Sequence, residues 1–304
     1  MANDGSQETA SDKLVVHSHL TNQPIEPALY IVATPIGNLG DITLRALNVL
    51  QNADAIACED TRVTGKLLKH FGIKTKMIAY HDHNAEKQSP FIMTLLGEGK
   101  SVALVSDAGT PLVSDPGYRL IKDAIVQEYK VVPLPGASAP ITALSAAGLP
   151  NDAFLFAGFL PPKQAARRVR LEAWATTPAT LIFFESPRRI AATLQDAAHV
   201  LGGSRQAVVA RELTKLFETF RRASLEELAA SFAEEPTPKG EIVLLIEPVK
   251  ERSIDIESVD EQLLELLQTL RVKDASEQLS RETGLPKRDL YQRALMLKEQ
   301  AKDG

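Results

Sequence analysis

The chain has 304 residues, 44% hydrophobic and 24% charged, with a formal net charge of −5. This fits a soluble globular protein with two domains and a small third unit, and excludes a wholly disordered or collagen-like chain. No apolar run reaches the length of about 18 residues that a transmembrane helix needs, and the lone Cys58 excludes a disulfide framework or a cysteine-based zinc cluster. The polar, acidic start lacks the apolar core of a secretory signal, and no histidine stands in a metal-ligand spacing, so a cytoplasmic, metal-free protein without membrane contact is expected. Charge is uneven. Residues 161–222 hold eleven basic and five acidic side chains, either a solvated face or a local positive field able to hold a polyanion.

Residues 1–26, rich in polar side chains, read as a disordered tail. Strands and helices then alternate. Strands are predicted at 29–33, 53–58, 76–80, 101–105 and 130–134, with helices over 41–50, 61–70, up to about 98, 115–129 and 138–147. Gly72 ends the second helix, and Asp115-Pro116 is expected to cap and open the fourth. This rhythm makes right-handed βαβ units and a mostly parallel sheet, placing an N-terminal α/β domain at 27–150.

After Gly148-Leu149-Pro150 the rhythm changes. Strands are predicted at 153–158, 179–184, 206–211, 216–221 and 241–247, with only three helices among them, over 163–174, 187–201 and 225–232. Ser224 and Glu227 form a capping box for the last of these. Two strands joined at Thr214 without a helix make a hairpin, so a C-terminal α/β domain at 151–250 carries a mixed sheet. Residues 251–304 form a helical tail domain. Its segments 274–283 and 286–298 around Gly284 resemble a helix-turn-helix, but its net acidity favours a plain helical bundle.

The chemistry-bearing phrases sit at strand ends, where parallel sheets bind ligands. The loop Thr34-Pro35-Ile36-Gly37-Asn38-Leu39-Gly40-Asp41 follows the first strand and matches neither a dinucleotide fingerprint nor a P-loop. Ser106-Asp107-Ala108-Gly109-Thr110-Pro111 and Pro135-Gly136-Ala137-Ser138-Ala139 follow the fourth and fifth. Turn chemistry explains each loop alone; three on one edge point to a cleft. Glu59-Asp60-Thr61-Arg62, Glu185-Ser186-Pro187-Arg188-Arg189 and Arg211-Glu212-Leu213-Thr214-Lys215 add charged groups at further strand ends. Lys163, Arg167, Arg168 and Arg170 open a second-domain helix as a candidate surface for an RNA backbone.

Taken together and in this order, these phrases resemble the ribosomal RNA small subunit methyltransferase I family, within the tetrapyrrole methylase superfamily, over about residues 28–250. The resemblance implies a two-domain α/β fold binding S-adenosylmethionine between its domains. It implies transfer of the methyl group to the 2′-hydroxyl of a cytidine in the decoding region of 16S rRNA, on the small ribosomal subunit, by a homodimer. By the same resemblance Pro35, Asp107, Gly109, Thr110, Ser138 and Ala139 face the cofactor from the first domain, and Phe184, Leu213, Gly240 and Ile242 from the second. The first loop is less glycine-rich than in the tetrapyrrole enzymes, which argues against a tetrapyrrole substrate.

Methyl transfer from a sulfonium is an in-line displacement that needs alignment and a dry site. A ribose hydroxyl is a weak nucleophile, so a base or a stabilising charge is expected. Lys215, Glu59 and Glu212 are the candidates, with Lys215 or Glu59 preferred and the proton unassigned; Lys215 serves as a charge or, if burial lowers its pKa, as a base. Asp60, Arg62, Arg188, Arg189 and Arg211 are expected to hold the RNA. Two rival readings stand beside this one: a tetrapyrrole or other small-substrate methyltransferase, and a non-catalytic RNA-binding module.

Overall fold

The computed structural model describes residues 23–249 except Pro116, and 256–303 except Gly284. The chain divides after Val249 into two compact units. Among the described residues, no helix is long and apolar enough to cross a membrane.

The first unit holds two five-stranded sheets. One is parallel throughout, with strands β1 (Leu29–Val32), β2 (Ala55–Cys58), β3 (Met77–Ala79), β4 (Val102–Val105) and β5 (Val131–Leu134) in the order β3-β2-β4-β1-β5. Strands β1, β2 and β4 are buried along their whole length, as continuous apolar runs require when both faces are covered. Helices α1 (Leu44–Asn52) and α2 (Thr61–His70) pack on one face, and α3 (Ala85–Gly97) and α4 (Tyr118–Val126) on the other. The chain leaving β1 therefore crosses to one side of the sheet and the chain leaving β4 to the other. These neighbouring strands mark the switch point, where a crevice opens at their carboxyl ends.

The second sheet, β6 (Phe154–Phe159), β7 (Thr180–Glu185), β8 (Gln206–Arg211), β9 (Thr219–Ser224) and β10 (Ile242–Ile246), runs β6-β7-β10-β8-β9. Only β6 and β7 are parallel; β7–β10, β10–β8 and the β8–β9 hairpin are antiparallel, giving the expected mixed sheet. Helix α5 (Ala139–Ala147) covers one face with Ala143, Leu144 and Ala147. The helices α6 (Gln164–Glu172), α7 (Ile190–Leu201) and α8 (Leu225–Glu234) cover the other. The capping box at α8 forms, with Ser224 Oγ accepting from the Glu227 amide and Glu227 accepting from the Ser224 amide.

The structure corrects several local expectations. Asp115 does not cap α4: the helix opens at Tyr118 after Gly117, whose φ of +128° only glycine adopts readily. Residues 39–41 form a 3₁₀ turn, and Thr43 caps α1 through the Ala46 amide. Strand β9 starts at Thr219 rather than residue 216, because residues 212–218 are consumed by a turn with Glu212 and Thr214 at positive φ. The expected tail falls outside the described residues up to residue 22. Residues 23–26 are held on the first sheet's helical layer: Gln23 exchanges hydrogen bonds with Asn48, Ile25 packs on the core, and Glu26 pairs with Lys130.

The second unit comprises α9 (Ile256–Leu267), α10 (Val272–Thr283) and α11 (Lys287–Asp303) around Leu263, Leu279, Leu290, Ala294 and Leu297.

Candidate active site

Three loops at the carboxyl edge of the parallel sheet are laced together. Thr34 and Gly109 exchange two backbone hydrogen bonds of 2.9 Å, and Thr110 Oγ1 donates to the Ala137 carbonyl at 3.0 Å. Gly109 has φ +79°, and a side chain at Gly136 would strike Ala33 at 2.7 Å, so these glycines allow the loops to touch. The first loop also meets the other sheet. A methyl group on Gly37 would lie 2.5 Å from Lys215 Cγ and 2.8 Å from Thr214 Oγ1.

Between these loops and the second sheet lies a cleft of about 480 Å³, ordinary for a small-molecule site. One wall carries Glu59, Asp107, Ala108, Ser114 and Asp115; the other is built from Phe159, Phe184, Leu213, Gly240, Ile242 and Val243 together with Glu185, Ser186, Pro187 and Glu241, with Ile36 and Ala139 between. The carboxylates disfavour one another's charge. Burial first, then the charges of Asp107 and Asp115, pushes the Glu59 carboxyl up. Burial and Asp60 raise Asp107, against a 3.1 Å hydrogen bond from the Asp60 amide. Burial and Asp107 raise Asp115, against a bond from the Ser106 hydroxyl. A cationic ligand group relieves this repulsion. The facing wall is mostly apolar, with Phe184 against Phe156 and Phe159 at ring separations of 4.9 and 5.5 Å, and carries Glu185, Ser186 and Glu241 at its polar part. Among the described residues, no group of three or more His, Cys, Asp or Glu is arranged to hold a metal ion.

Of the residues expected to face a cofactor, Asp107, Ala139, Phe184, Leu213, Gly240 and Ile242 line the cleft. Pro35, Gly109, Thr110 and Ser138 do not; Gly109 and Thr110 brace the lining loop from behind. Glu59 lines the cleft, whereas Glu212 and Lys215 stand behind Glu241, which does. Lys215 Nζ donates to Glu212 Oε1 at 2.8 Å and to Glu241 Oε2 at 2.9 Å. Burial alone would lower the Lys215 pKa, but the hydrogen bonds and charges of these two carboxylates outweigh it and raise it. Lys215 is thus an ammonium, not a neutral base. The Lys215 hydrogen bond in turn lowers Glu212.

The arginines divide. Arg62 projects 87% exposed from the start of α2, gripped by Asp60, which also caps that helix and is held down at about 2 by Arg62. Arg188 is exposed. Arg189 and Arg211 are half-buried and engaged by backbone carbonyls of the protein itself. Arg189 donates to the Leu160 carbonyl at 2.6 Å beside the buried Glu185, and Arg211 donates to the Lys239 and Phe217 carbonyls. The basic start of α6 divides too, with Lys163 and Arg170 exposed and Arg167 and Arg168 drawn to a carboxylate. Arg167 is buried against Asp196 at 2.6 Å, Arg168 reaches the same carboxylate at 2.7 Å, and Arg170 lies over Trp174. Burial would raise Asp196, but Arg168, Arg167 and Gln164 together hold it low. Sequence reasoning missed Phe159 and Glu241 and read Asp115 as a cap. A strand-terminal aromatic, and an acid beside Gly240, were the available signals.

The family model for Tetrapyrrole (Corrin/Porphyrin) Methylases matches residues 28–229, which hold the first sheet and four of the five strands of the second, and a second, described as RsmI C-terminal HTH domain, matches residues 253–298. A solved uroporphyrin-III C-methyl transferase from Thermus thermophilus, complexed with S-adenyl homocysteine, has the same fold at a TM-score of 0.50 and 18% identity, covering 72% of this chain and 96% of that one. Fold and cleft together define a methylase of the tetrapyrrole methylase class. The similarity is much higher to two proteins named "Ribosomal RNA small subunit methyltransferase I". That of Mesorhizobium japonicum is 52% identical over 96% of this chain and 99% of its own; that of Escherichia coli O157:H7 is 51% identical over 88% and 94%. The chain belongs to the ribosomal RNA small subunit methyltransferase I family. The second match favours the helix-turn-helix description of the C-terminal unit over the plain bundle expected from its charge.

Proposed function

We propose that the protein methylates the 2′-hydroxyl of a cytidine in the decoding region of 16S rRNA, using S-adenosylmethionine bound in the cleft. The observation that carries this reading is the pairing of an acidic wall with a mostly apolar one that presents Phe159, Phe184, Leu213 and Ile242, in a cleft of about 480 Å³. This suits a ligand that is cationic and hydroxylated at one end and planar at the other. Asp107 and the neighbouring carboxylates would take the cationic and hydroxyl groups; Phe184, Leu213, Gly240 and Ile242 would take the planar part. When bound, the cofactor supplies an electrophilic methyl group on a sulfonium. Family membership through proteins named for ribosomal RNA favours an RNA acceptor over a tetrapyrrole, because identity to those proteins is above 50% and to the solved uroporphyrin-III C-methyl transferase only 18%.

The chain's own groups then divide the work. Glu59, raised by burial and its acidic neighbours, is the better proton acceptor for a ribose hydroxyl. Lys215, kept charged by Glu212 and Glu241, offers its charge to the oxygen that becomes negative when Glu241, the more exposed of its two partners, gives way to the acceptor. Asp60 positions Arg62, and of the arginines expected to hold RNA at the strand ends, Arg62 and Arg188 are the exposed ones, available for phosphates. A homodimer and a cytoplasmic location are part of the same proposal. Mapping 2′-O-methyl marks on rRNA from cells with and without the gene tests it: one mark in small-subunit RNA should vanish with the gene. Unchanged maps refute the proposal.

A further inference from the structure

The cleft-side edge of the second sheet presents an apolar tip that no part of the described fold covers. Register brings the carboxyl ends of β7 and β8 and the start of β10 to one edge, since Ile242 pairs with both Glu185 and Arg211. The turn leaving β8 has two sides. Leu213 lines the cleft, while Leu216 and Phe217 stand 89% and 67% exposed.

This tip is displayed on a rigid turn. Lys215 N–H donates to the Glu212 carbonyl and Glu218 N–H to the Lys215 carbonyl, at 3.0 and 3.1 Å. The Glu218 carboxylate accepts from the Thr214 amide at 2.6 Å, and Arg211 holds the Phe217 carbonyl from beneath. Glu212 and Thr214 adopt φ of +54° and +64°, a conformation that costs non-glycine residues energy and is retained where the surroundings impose it. Two adjacent exposed apolar side chains on such a support stabilise nothing within the described fold. Arg188 and Lys239 lie on the same edge, exposed, each next to a residue of the cleft lining. Arg211 ties the Lys239 and Phe217 carbonyls together, so one cation lies close to the ring, and an exposed aromatic ring near a cation is recognition chemistry for an unstacked nucleotide.

We propose that Phe217, with Leu216 beside it, is a stacking platform for a nucleobase of the acceptor RNA that holds the acceptor nucleoside at the mouth of the cleft. The inference rests on the rRNA methylation reading and adds to it a substrate-positioning residue. A ribose hydroxyl in a structured RNA must leave its neighbours to enter a cleft of this size, and a stacked base steadies the displaced strand.

The test compares wild type with F217A, L216A and F217W in methyl transfer to unmethylated small ribosomal subunits. F217A should raise KM for the subunit roughly 5- to 100-fold, the worth of one base–aromatic stack. Its kcat and its affinity for S-adenosylhomocysteine should stay close to wild type, because the contact serves binding rather than the chemical step. L216A should show a smaller rise, and F217W should restore KM. Trp174 is the chain's single tryptophan, so a W174F/F217W double variant reports the tip alone, and its emission should be quenched by added subunits. An unchanged KM in F217A, unquenched emission, or conversion of a dimer to a monomer by F217A overturns the inference. Wild type that transfers no methyl group to subunits fails the underlying reading instead, and the inference falls with it.

Discussion

Gly240→Ala should damage the fold and the cleft together, and a second glycine isolates the cause. Gly240 has φ +96°, and its Cβ would stand 2.3 Å from the Glu212 carboxyl group. The backbone conformation alone costs an L-residue about 1–2 kcal/mol. Glu212 must also swing away, losing its 2.8 Å bond from Lys215 and its 3.0 Å bond from the Glu241 amide. Lys215 keeps 30% of its side-chain exposure, so screening reduces each loss to about 1 kcal/mol. The sum is about 3–4 kcal/mol. Gly202 has nearly the same φ, +100°, but nothing lies within 4 Å of its Cβ, so Gly202→Ala bears only the backbone cost. At about 2–4 °C per kcal/mol for a unit of this size, Gly240→Ala should melt roughly 10 °C below wild type and Gly202→Ala about 3–6 °C below. Calorimetric titration should show weaker S-adenosylmethionine binding in the first variant and wild-type binding in the second. Melting temperatures within about 2 °C of each other would refute the reasoning, because the Glu212–Lys215 brace would then contribute nothing.

Lys215→Ala should lower single-turnover methylation by roughly a hundredfold while cofactor affinity changes little, since charge stabilisation of the attacking oxygen is lost; an unchanged rate removes Lys215 from the chemistry. Asp196→Ala should destabilise the protein by about 3–5 kcal/mol in denaturant unfolding, because it strands the buried Arg167; a loss below about 1 kcal/mol contradicts the buried network. Glu59, Asp107 and Asp115 are all raised in the folded state. Between the ordinary carboxylate values and the raised ones these three groups hold more protons in the native protein than in the unfolded chain, so their contribution to stability falls as pH rises through that window, opposite in sign to that of the lowered Asp60, Asp196 and Glu212. Glu59→Gln should flatten the fall. Affinity for the cationic cofactor should move the opposite way, weakening as pH drops through the raised values, and calorimetry over a pH series checks both signs.

The elements were legible because buried strands announce themselves as apolar runs and helices by their caps: α2, β8 and the Ser224–Glu227 box stand where expected. The first wall of the cleft was legible for a topological reason, since loops after β1, β4 and β5 must share the carboxyl edge of a parallel sheet. The second wall was legible only in part: the family resemblance pointed to Phe184, Leu213, Gly240 and Ile242, which line the cleft, but not to Phe159 or Glu241. Phe159 ends an edge strand and looks like core, and Glu241 looks like a solvated strand start. How the arginines divide was hidden, because a sequence displays charge without its partner. Asp196 lies 29 residues from Arg167, and the Leu160 carbonyl 29 from Arg189. Asp115 was read as a cap because Asp-Pro commonly opens helices, whereas here its carboxylate faces the cleft.

The most direct test is in vitro transfer from S-adenosylmethionine labelled at the methyl group to small ribosomal subunits lacking the modification, followed by nuclease digestion and mass spectrometry of the nucleosides. The account predicts label in 2′-O-methylcytidine at one position of the 16S rRNA, abolished by Asp107→Ala under conditions where that variant remains folded. Label on a base, on protein, or nowhere would contradict it.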